Sequence, residues 1–232
     1  MSKIYRDGTY LDRHPSWHEE DSPWKARQIL KMLERNRVRP ASICEVGCGA
    51  GEILNQLSES LTEAREFVGY EISPQAFQLC SRKSKSNLKF VLRDLLEEVD
   101  APLFDLVLAI DVFEHVEDYW GFLRKLREKG GYKVFHIPLD LSVLTVLCSS
   151  PIMRGRQSMG HIHYFTKETA LATLRDTGYE IIDHFYTASS LELPDRGWKQ
   201  DLLRIPRRLM FSISRDLAVR TLGGYSLLVL AR

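Results

Sequence analysis

The chain has 232 residues, of which 44% are hydrophobic and 27% charged, a composition typical of a globular protein with a sizeable core. Its 32 lysines and arginines are balanced by 31 aspartates and glutamates, which disfavours a protein that binds nucleic acid through a basic surface. No apolar run approaches the roughly 18 residues of a membrane span, and residues 1–10 lack the apolar segment of a signal peptide. We therefore expect a cytoplasmic protein with no stable membrane insertion, whose four scattered cysteines are free thiols.

The predicted elements begin with a helix near the N-terminus, for which Ser22 is a suitable N-cap and Pro23 a suitable first residue. Five runs rich in Val, Ile, Leu and Phe follow, at 42–46, 66–72, 89–95, 104–110 and 133–138. These runs alternate poorly between apolar and polar residues. That pattern is expected of strands buried on both faces of a parallel sheet.

Helical segments separate these runs, at 52–61, 73–83 and 116–129, the last expected to end at Gly130-Gly131. The alternation predicts a doubly wound α/β fold. After residue 139 we expect a helix between a Thr166 cap and a Gly178 stop, then strands at 179–187 and 225–232. A basic, amphipathic stretch at 195–222, interrupted by Pro206, separates the two strands. No linker divides the chain, so we predict one domain over residues 1–232.

The sequence EVGCGAG, residues 45–51, lies between the first predicted strand and a helix. In α/β sheets, ligands bind at this edge, beyond the carboxyl ends of the strands. A dinucleotide-binding loop has the spacing G-x-G-x-x-G, whereas the spacing here is G-x-G-x-G, and Glu52 follows where a pyrophosphate would lie. The loop therefore favours a ligand without phosphate and disfavours an NAD-dependent oxidoreductase.

Acidic residues follow three further predicted strands. Glu71 ends the second strand, where a carboxylate can accept hydrogen bonds from both hydroxyls of a ribose. Asp94 ends the third strand, where a carboxylate can accept from an adenine amino group. The fourth strand continues into an acid-and-histidine cluster in FDLVLAIDVFEHVED. Each feature alone is a weak indication of a ligand site. Because such features occur at the ends of four successive predicted strands, coincidence is a poor explanation.

In the order EVGCGAG, YEIS, RDL and FDLVLAIDVFEHV, the chain resembles the class I S-adenosylmethionine-dependent methyltransferases, particularly the type-11/type-23 group that includes ubiquinone-biosynthesis O-methyltransferases. The resemblance covers about residues 22–187 and the final strand. It implies a mostly parallel seven-stranded sheet whose last two strands form a reversed hairpin. It also implies S-adenosyl-L-methionine as cofactor and S-adenosyl-L-homocysteine as product. We then expect an N-terminal lid and helix at 1–38, a cofactor-binding half at 39–139 and a substrate-side half at 140–232.

The resemblance also assigns roles to individual residues. The methionine part of the cofactor would be lined by Glu45, Gly47, Cys48, Gly49 and Gly51. The adenosine would be held by Glu71 at the ribose, by Ile72 against the adenine ring, and by Asp94 with Leu95 at the adenine amino group. The backbone of Ile110 and Asp111 would lie by the methionine amine. The glycines would let the main chain touch the cofactor.

A neutral hydroxyl acceptor must lose a proton, so a general base is expected near the transferred methyl. The candidates are Glu114 and His115, after the fourth strand, and His161 and His163 in GHIHYFT. We favour His115, whereas structural roles for His161 and His163 are as well supported as catalytic ones. We interpret His136 and His184, which fall in predicted strands, as structural.

In the ubiquinone-type relatives, the position of Glu114-His115-Val116 resembles a divalent-metal site. Mg²⁺ or Zn²⁺ is therefore an alternative means of activating the acceptor, though no metal ligand is assigned. Glu117 and Asp118 are interpreted as helix-capping charges.

The ends of the chain are expected to set specificity. An aromatic set, Tyr10, Trp17, His18 and Trp24, would form a lid or only dock the first helix on the sheet. We interpret residues 195–222 as a solvated insertion, with a membrane-surface element as an alternative.

The predicted function is methyl transfer to a small molecule, with oxygen favoured. The alternatives are methylation of a protein or RNA and a non-catalytic cofactor-binding relative. Oligomeric state is left open.

Overall fold

One twisted sheet organises the computed structural model, which describes residues 9–17, 19–98, 100–193 and 198–232. Its strands are β1 (Ser42–Val46), β2 (Glu66–Glu71), β3 (Leu88–Leu92), β4 (Phe104–Ile110), β5 (Gly130–Pro138), β6 (Ile181–Thr187) and β7 (Ser226–Ala231). They lie in the order β3-β2-β1-β4-β5-β7-β6, in which β1 to β5 pair in parallel and β7 runs antiparallel to both β5 and β6. The predicted doubly wound, seven-stranded sheet with a reversed C-terminal hairpin is confirmed.

Helices cover both faces of the sheet. They are α1 (Thr9–Arg13), α2 (Ser22–Arg35), α3 (Glu52–Ser60), α4 (Pro74–Cys80), α5 (Tyr119–Arg127), α6 (Val143–Cys148), α7 (Ser150–Arg154), α8 (Lys167–Asp176), α9 (Ser189–Glu192), α10 (Trp198–Ile213) and α11 (Arg215–Leu222), with a π-helical turn at Gly155–Met159. None of them, over the residues described, is both long and apolar enough to cross a membrane.

The core consists of two apolar clusters, one on each face of the sheet. Alternate residues of β4 belong to different clusters: Leu106 and Leu108 join α2 and α3, whereas Val107 and Ala109 join α5, α8 and α11. All four side chains are at most 1% exposed. This two-sided burial explains why the first strands appear in the sequence as continuous apolar runs.

Several predicted element boundaries are wrong. Helix α5 ends at Arg127, and Gly130 and Gly131 begin β5 instead of terminating the helix. A side chain at Gly130 would lie 2.4 Å from the carbonyl oxygen of Phe104 on the paired strand, so this glycine permits close strand pairing. Asp21, not Ser22, occupies the N-cap of α2, without a side-chain hydrogen bond. Pro206 lies inside α10, which continues on both sides of it.

Other predicted boundaries are confirmed. Thr166 caps α8 through the N–H of Thr169, and Gly178 follows the helix with a φ of +95°.

The four cysteines are free thiols; Cys44, Cys48 and Cys80 are buried, whereas Cys148 is exposed at the end of α6.

Candidate active site

The carboxyl ends of β1, β2, β4 and β5 open onto a cavity of about 680 Å³. It lies where β1 is flanked by β2 on one side and β4 on the other, the point at which the strand order reverses and at which ligands bind in such sheets. The volume suits a nucleoside-sized ligand together with a small second molecule. The predicted site residues on its wall are Glu45, Gly47, Cys48, Gly49, Glu71, Ile110, Asp111, His115 and His161. Gly51, Ile72, Asp94, Leu95, Glu114 and His163 do not line it.

The glycine loop between β1 and α3 owes its composition partly to the protein's own packing. Gly47, Gly49 and Gly51 all have positive φ, at +69°, +55° and +77°. A side chain at Gly51 would lie 2.6 Å from the Cβ of Cys80 and from the ring of Phe90, away from the cavity. One at Gly49 would lie 2.8 Å from Cδ1 of Trp17. Close approach to a ligand is thus not the only reason for glycine here.

Glu71 is 4% exposed, at the end of β2. One carboxylate oxygen accepts a hydrogen bond from the N–H of Gly49, and the other accepts from Ile72 and Ser73, each at 2.8 Å. A carboxylate offers about four acceptor positions, so one is left for a ligand hydroxyl. Burial raises the pKa of Glu71, and the three N–H donors oppose that rise.

Asp111 forms the best-defined ionic contact of the cavity. It has a φ of +55°, and its carboxylate lies 2.7 Å from Nζ of Lys25 in α2 and 2.6 Å from Nδ1 of His136 in β5. Burial alone would raise the pKa of Asp111, but the neighbouring His136 and Lys25 hold it well below its usual range. The other ring nitrogen of His136 meets Oγ1 of Thr187 at 2.8 Å.

Lys25 and His136 were not predicted as site residues, yet both line the cavity. Nothing in the sequence around Lys25 distinguishes it from an ordinary surface lysine of an amphipathic helix. His136 falls in a buried strand, where a structural role is the expected one. Only the fold brings both of them to Asp111.

The acidic character of the wall is its main electrostatic feature. The carboxylates on the wall belong to Glu20, Asp21, Glu45, Glu71, Asp111 and Asp140, against the single lysine Lys25. Glu45 is 2% exposed, its Oε2 has no hydrogen-bond partner among the residues described, and burial raises its pKa well above the usual value. The cavity therefore favours a cationic ligand. Glu52, by contrast, is not on the wall and lies 3.7 Å from Nζ of Lys83.

Two histidines and a glutamate meet at one side of the cavity. Donor atoms of Glu114, His115 and His161 all lie within 4.8 Å of one another, and all three residues are buried. Nδ1 of His115 lies 3.1 Å from the carbonyl oxygen of Gly160, and Nδ1 of His161 lies 2.7 Å from the carboxylate of Asp140. Because both partners are acceptors, each Nδ1 carries a proton, and in a neutral ring the lone pair is then on Nε2.

Charge is strongly disfavoured in this histidine–glutamate cluster. Burial and the neighbouring His161 lower the pKa of His115 to about 4, so the imidazole is neutral at pH 7. Burial and the carboxylate of Asp111 raise the pKa of Glu114 well above its usual value. Neither carboxylate oxygen of Glu114 has a hydrogen-bond partner in the described parts of the chain.

The remaining predicted residues lie elsewhere. Asp94 is exposed and accepts a hydrogen bond from the N–H of Leu96, while Leu95 is buried in the core. His163 lies behind the cavity wall, with Nε2 at 2.9 Å from the carbonyl oxygen of Val116. Asp118 caps α5 through the N–H of Gly121, as predicted.

The N-terminal segment covers the glycine loop. Tyr10 is 6% exposed, and its ring lies 4.7 Å from that of Trp17, with both residues on the cavity wall. Trp24 also lines the cavity and donates a hydrogen bond to Glu192 at 2.7 Å. His18, the other residue of the predicted lid, lies outside the described residues.

A family model described as a methyltransferase domain matches residues 17–184. (S)-coclaurine N-methyltransferase of Thalictrum flavum subsp. glaucum is 25% identical over 130 residues, which are 53% of this chain and 36% of that protein. Malonyl-[acyl-carrier protein] O-methyltransferase of Acetivibrio thermocellus is 28% identical over 102 residues, which are 44% of this chain and 36% of that protein. The matched regions thus span about a third of the length of these curated relatives.

Solved structures show the same fold. Magnesium protoporphyrin IX methyltransferase of Synechocystis PCC 6803, crystallised with S-adenosylhomocysteine, superposes with a TM-score of 0.65 at 17% identity, covering 98% of this chain and 97% of that chain. Since the family model covers well over half of the chain, the chain belongs to the methyltransferase-domain family, within the class I S-adenosylmethionine-dependent methyltransferases.

Proposed function

We propose that this chain transfers the methyl group of S-adenosylmethionine to a small-molecule acceptor, with oxygen as the acceptor atom. The acidic cavity at the carboxyl ends of β1, β2 and β4 carries the proposal. The cofactor bears a sulfonium and an ammonium against one carboxylate, so it is a net cation that the six wall carboxylates attract. A dinucleotide, with its two phosphates, would be repelled by the same wall.

The residues of the wall suit the parts of this cofactor. Glu71 has an acceptor position left for a ribose hydroxyl. Asp111 provides negative charge for the methionine end, and the buried Glu45 offers an oxygen without a partner among the described residues. Lys25, which uses one donor on Asp111, has further N–H donors for the methionine carboxylate. Asp94 remains a proposed adenine contact, although its side chain caps a turn in this structure.

The chain's contribution to the reaction is mainly positional. The sulfonium supplies the electrophilic methyl, and a cavity that holds an acceptor in line with it removes much of the entropic barrier. His115 presents a lone pair on Nε2, and His115 and His161 are the candidates to take the proton of an acceptor hydroxyl. With its pKa lowered to about 4, His115 is a weak base and acts only on an acceptor whose hydroxyl is already acidified.

The same cluster fits a divalent cation, which would acidify such a hydroxyl. Glu114, with two buried oxygens that lack a partner among the described residues, and the Nε2 atoms of His115 and His161 would hold it. The cation would then replace the histidines as the means of activating the acceptor, because a metal-bound Nε2 has no lone pair left to take a proton. Two imidazoles with one carboxylate suit Zn²⁺ better than Mg²⁺. Loss of turnover after dialysis against a chelator, and recovery with Zn²⁺, is the expected result. Turnover that is indifferent to chelation would reject the cation.

Oxygen is favoured over nitrogen because a base at the cavity is needed for a hydroxyl and not for a neutral amine. The two curated relatives do not decide the matter, since one is named for N- and the other for O-methylation. Methylation of a protein or RNA remains the alternative.

Calorimetric titration tests the cofactor assignment. We expect S-adenosylhomocysteine to bind and NAD to bind at least about tenfold more weakly, the ratio that a 1.4 kcal/mol difference gives. Comparable affinity for NAD would contradict the proposal. An assay of S-adenosylhomocysteine release, run with matched hydroxyl and amine acceptors, then separates oxygen from nitrogen.

A further inference from the structure

Exposed apolar side chains of this protein are concentrated on three helices outside the cavity. Six of them, Val143, Val146, Leu147, Ile205, Leu209 and Ile213, form what we call the docking surface, and each is more than half exposed. On α10 the residues are four apart, and on α6 they are three and four apart, so each helix presents one apolar stripe. Among the described residues outside α6, α7, α10 and α11, the large apolar side chains that are exposed are Leu92, Leu103 and Ile182.

The two stripes belong to one part of the molecule. Helix α11 packs against both α10 and α6. Gly223, directly after α11, is so close to α6 that a side chain there would lie 2.7 Å from Oγ of Ser142. Leu217 of α11 is itself half exposed. Exposed apolar side chains grouped in this way are typical of an interaction site.

Positive charge surrounds the docking surface. Residues 198–222 contain six lysines and arginines and two aspartates, although the whole chain is nearly neutral. Arg154, Arg156, Arg208 and Arg215 are exposed, and none of them forms a salt bridge with another described residue. The nearby acid Asp216, by contrast, is held by Lys167. The charge left for a partner is therefore positive.

From this combination we infer that α6, α10 and α11 dock the protein on an anionic lipid surface. Apolar side chains rimmed by arginines are the composition of helices that lie in the interface of a bilayer. Each basic residue near the membrane surface increases the affinity of a protein for anionic lipid by roughly fivefold. Helix α7, which packs against α6, continues into the π-helical turn whose Gly155 and Met159 line the cavity.

Vesicle sedimentation of the full chain, without cofactor, tests the inference. Vesicles of phosphatidylcholine with phosphatidylglycerol should bind the protein on the order of tenfold more tightly than pure phosphatidylcholine, and salt should weaken binding. The variant Ile205→Gln/Leu209→Gln/Ile213→Gln should lose on the order of tenfold in affinity for the anionic vesicles. The variant Arg208→Gln/Arg215→Gln should prefer phosphatidylglycerol less than the wild type does, because two of the four exposed arginines are removed.

Leu92→Gln/Leu103→Gln is the matched control, since both leucines are exposed outside the docking surface, and its binding should equal that of the wild type. Equal binding by the control and the triple variant would overturn the inference, as would a wild type that ignores anionic vesicles. A wild-type dimer that the triple variant converts to a monomer, without vesicle binding, would instead make the surface a self-association interface and overturn the lipid assignment. Calorimetry with S-adenosylhomocysteine keeps the two proposals separate: a chain that binds this ligand but no vesicle contradicts only the docking.

Discussion

The carboxylate of Glu71 supports both the protein and the proposed ligand. It holds the N–H groups of Gly49, Ile72 and Ser73, and so fixes the glycine loop against the end of β2. Its remaining acceptor position faces the cavity, because Glu71 lines the wall. A change at this residue therefore affects the shape of the site as well as one contact to it.

We predict that Glu71→Gln weakens binding of S-adenosylhomocysteine by about 1–3 kcal/mol, the range for loss of hydrogen bonds to a charged group. The amide keeps one acceptor oxygen but points N–H donors at backbone N–H groups. Isothermal titration calorimetry measures the effect. Glu52→Gln, off the cavity wall, is the control and should bind as the wild type does. Equal affinities for both variants would remove Glu71 from the site.

Asp111→Asn should lower the free energy of unfolding by about 1–3 kcal/mol at pH 7, because Lys25 and His136 lose their shared anionic partner. Asparagine tolerates the positive φ as aspartate does, so the variant removes charge without changing the backbone preference. The pKa of Asp111 is depressed, so its contribution is fully present above the ordinary pKa of about 4 and is lost as pH falls below it.

Urea unfolding of both proteins at several pH values checks this prediction. The difference between wild type and Asp111→Asn should be present at about pH 7 and should shrink as the pH falls below about 4. A difference that grows as the pH falls would contradict the assigned ion pair.

The position of a residue at the cavity was predictable from the sequence where the chain itself places the residue near a strand end. Glu45 is the penultimate residue of β1, Glu71 ends β2 and Asp111 follows β4, and all three line the cavity. Lys25 and His136 were not predictable, because their contact with Asp111 joins segments far apart in the chain. Asp94 is a residue for which a strand-end position in the sequence was misleading. It lies at the end of the predicted third strand, but β3 ends earlier, at Leu92, and the Asp94 side chain caps the next turn.

At the scale of elements, the turn from β1 to α3 combines a backbone requirement with a packing requirement. Gly51 is the N-cap of α3 in the left-handed conformation, and its α-carbon faces Cys80 and Phe90. The backbone conformation and the packing of the protein itself therefore require glycine at position 51, without any ligand. Gly49 differs, since it both donates to Glu71 and lines the cavity.

Gly51→Ala should destabilise the protein by about 2–5 kcal/mol, the sum of the left-handed strain and of overpacking against Cys80 and Phe90. Gly131→Ala is the matched control, since a side chain there meets only the carbonyl oxygen of Asp105 at 3.4 Å and its φ is not positive. The control should change stability by less than about 1 kcal/mol. Urea unfolding compares the two; equal effects would contradict the packing explanation.

Element types were easier to predict than element ends. Two-sided burial made the runs of β1 and β4 unmistakable, and both strands have the predicted bounds. The ends depend on tertiary contacts that no local pattern contains. Gly130 resembles a helix terminator in sequence, yet its role is to let β5 approach Phe104 of β4. Pro206 was expected to break a helix, but α10 accommodates it.

At the scale of the whole molecule, the sheet is continuous from β3 to β6 and joins the two halves that the sequence divides at residue 139. Strand β5, of the first half, pairs with β7 of the second. The apolar cluster on one face likewise includes residues of both halves, such as Leu123 and Val219. We therefore expect one cooperative unit.

Thermal unfolding followed by far- and near-ultraviolet circular dichroism should show one coincident transition. S-adenosylhomocysteine at a hundredfold its Kd should stabilise the native state by about 2.7 kcal/mol and move both signals together. Separate transitions, of which the ligand shifts only one, would show that residues 140–232 unfold independently.

The distribution of the four thiols gives the protein a ready position for a spectroscopic label. Cys44, Cys48 and Cys80 are buried, whereas Cys148 is exposed at the end of α6, one residue from Leu147. A maleimide dye should therefore attach to the unmodified sequence at this position ahead of the others. Its emission would report the polarity next to the apolar stripe of α6 directly, in solution and in contact with lipid.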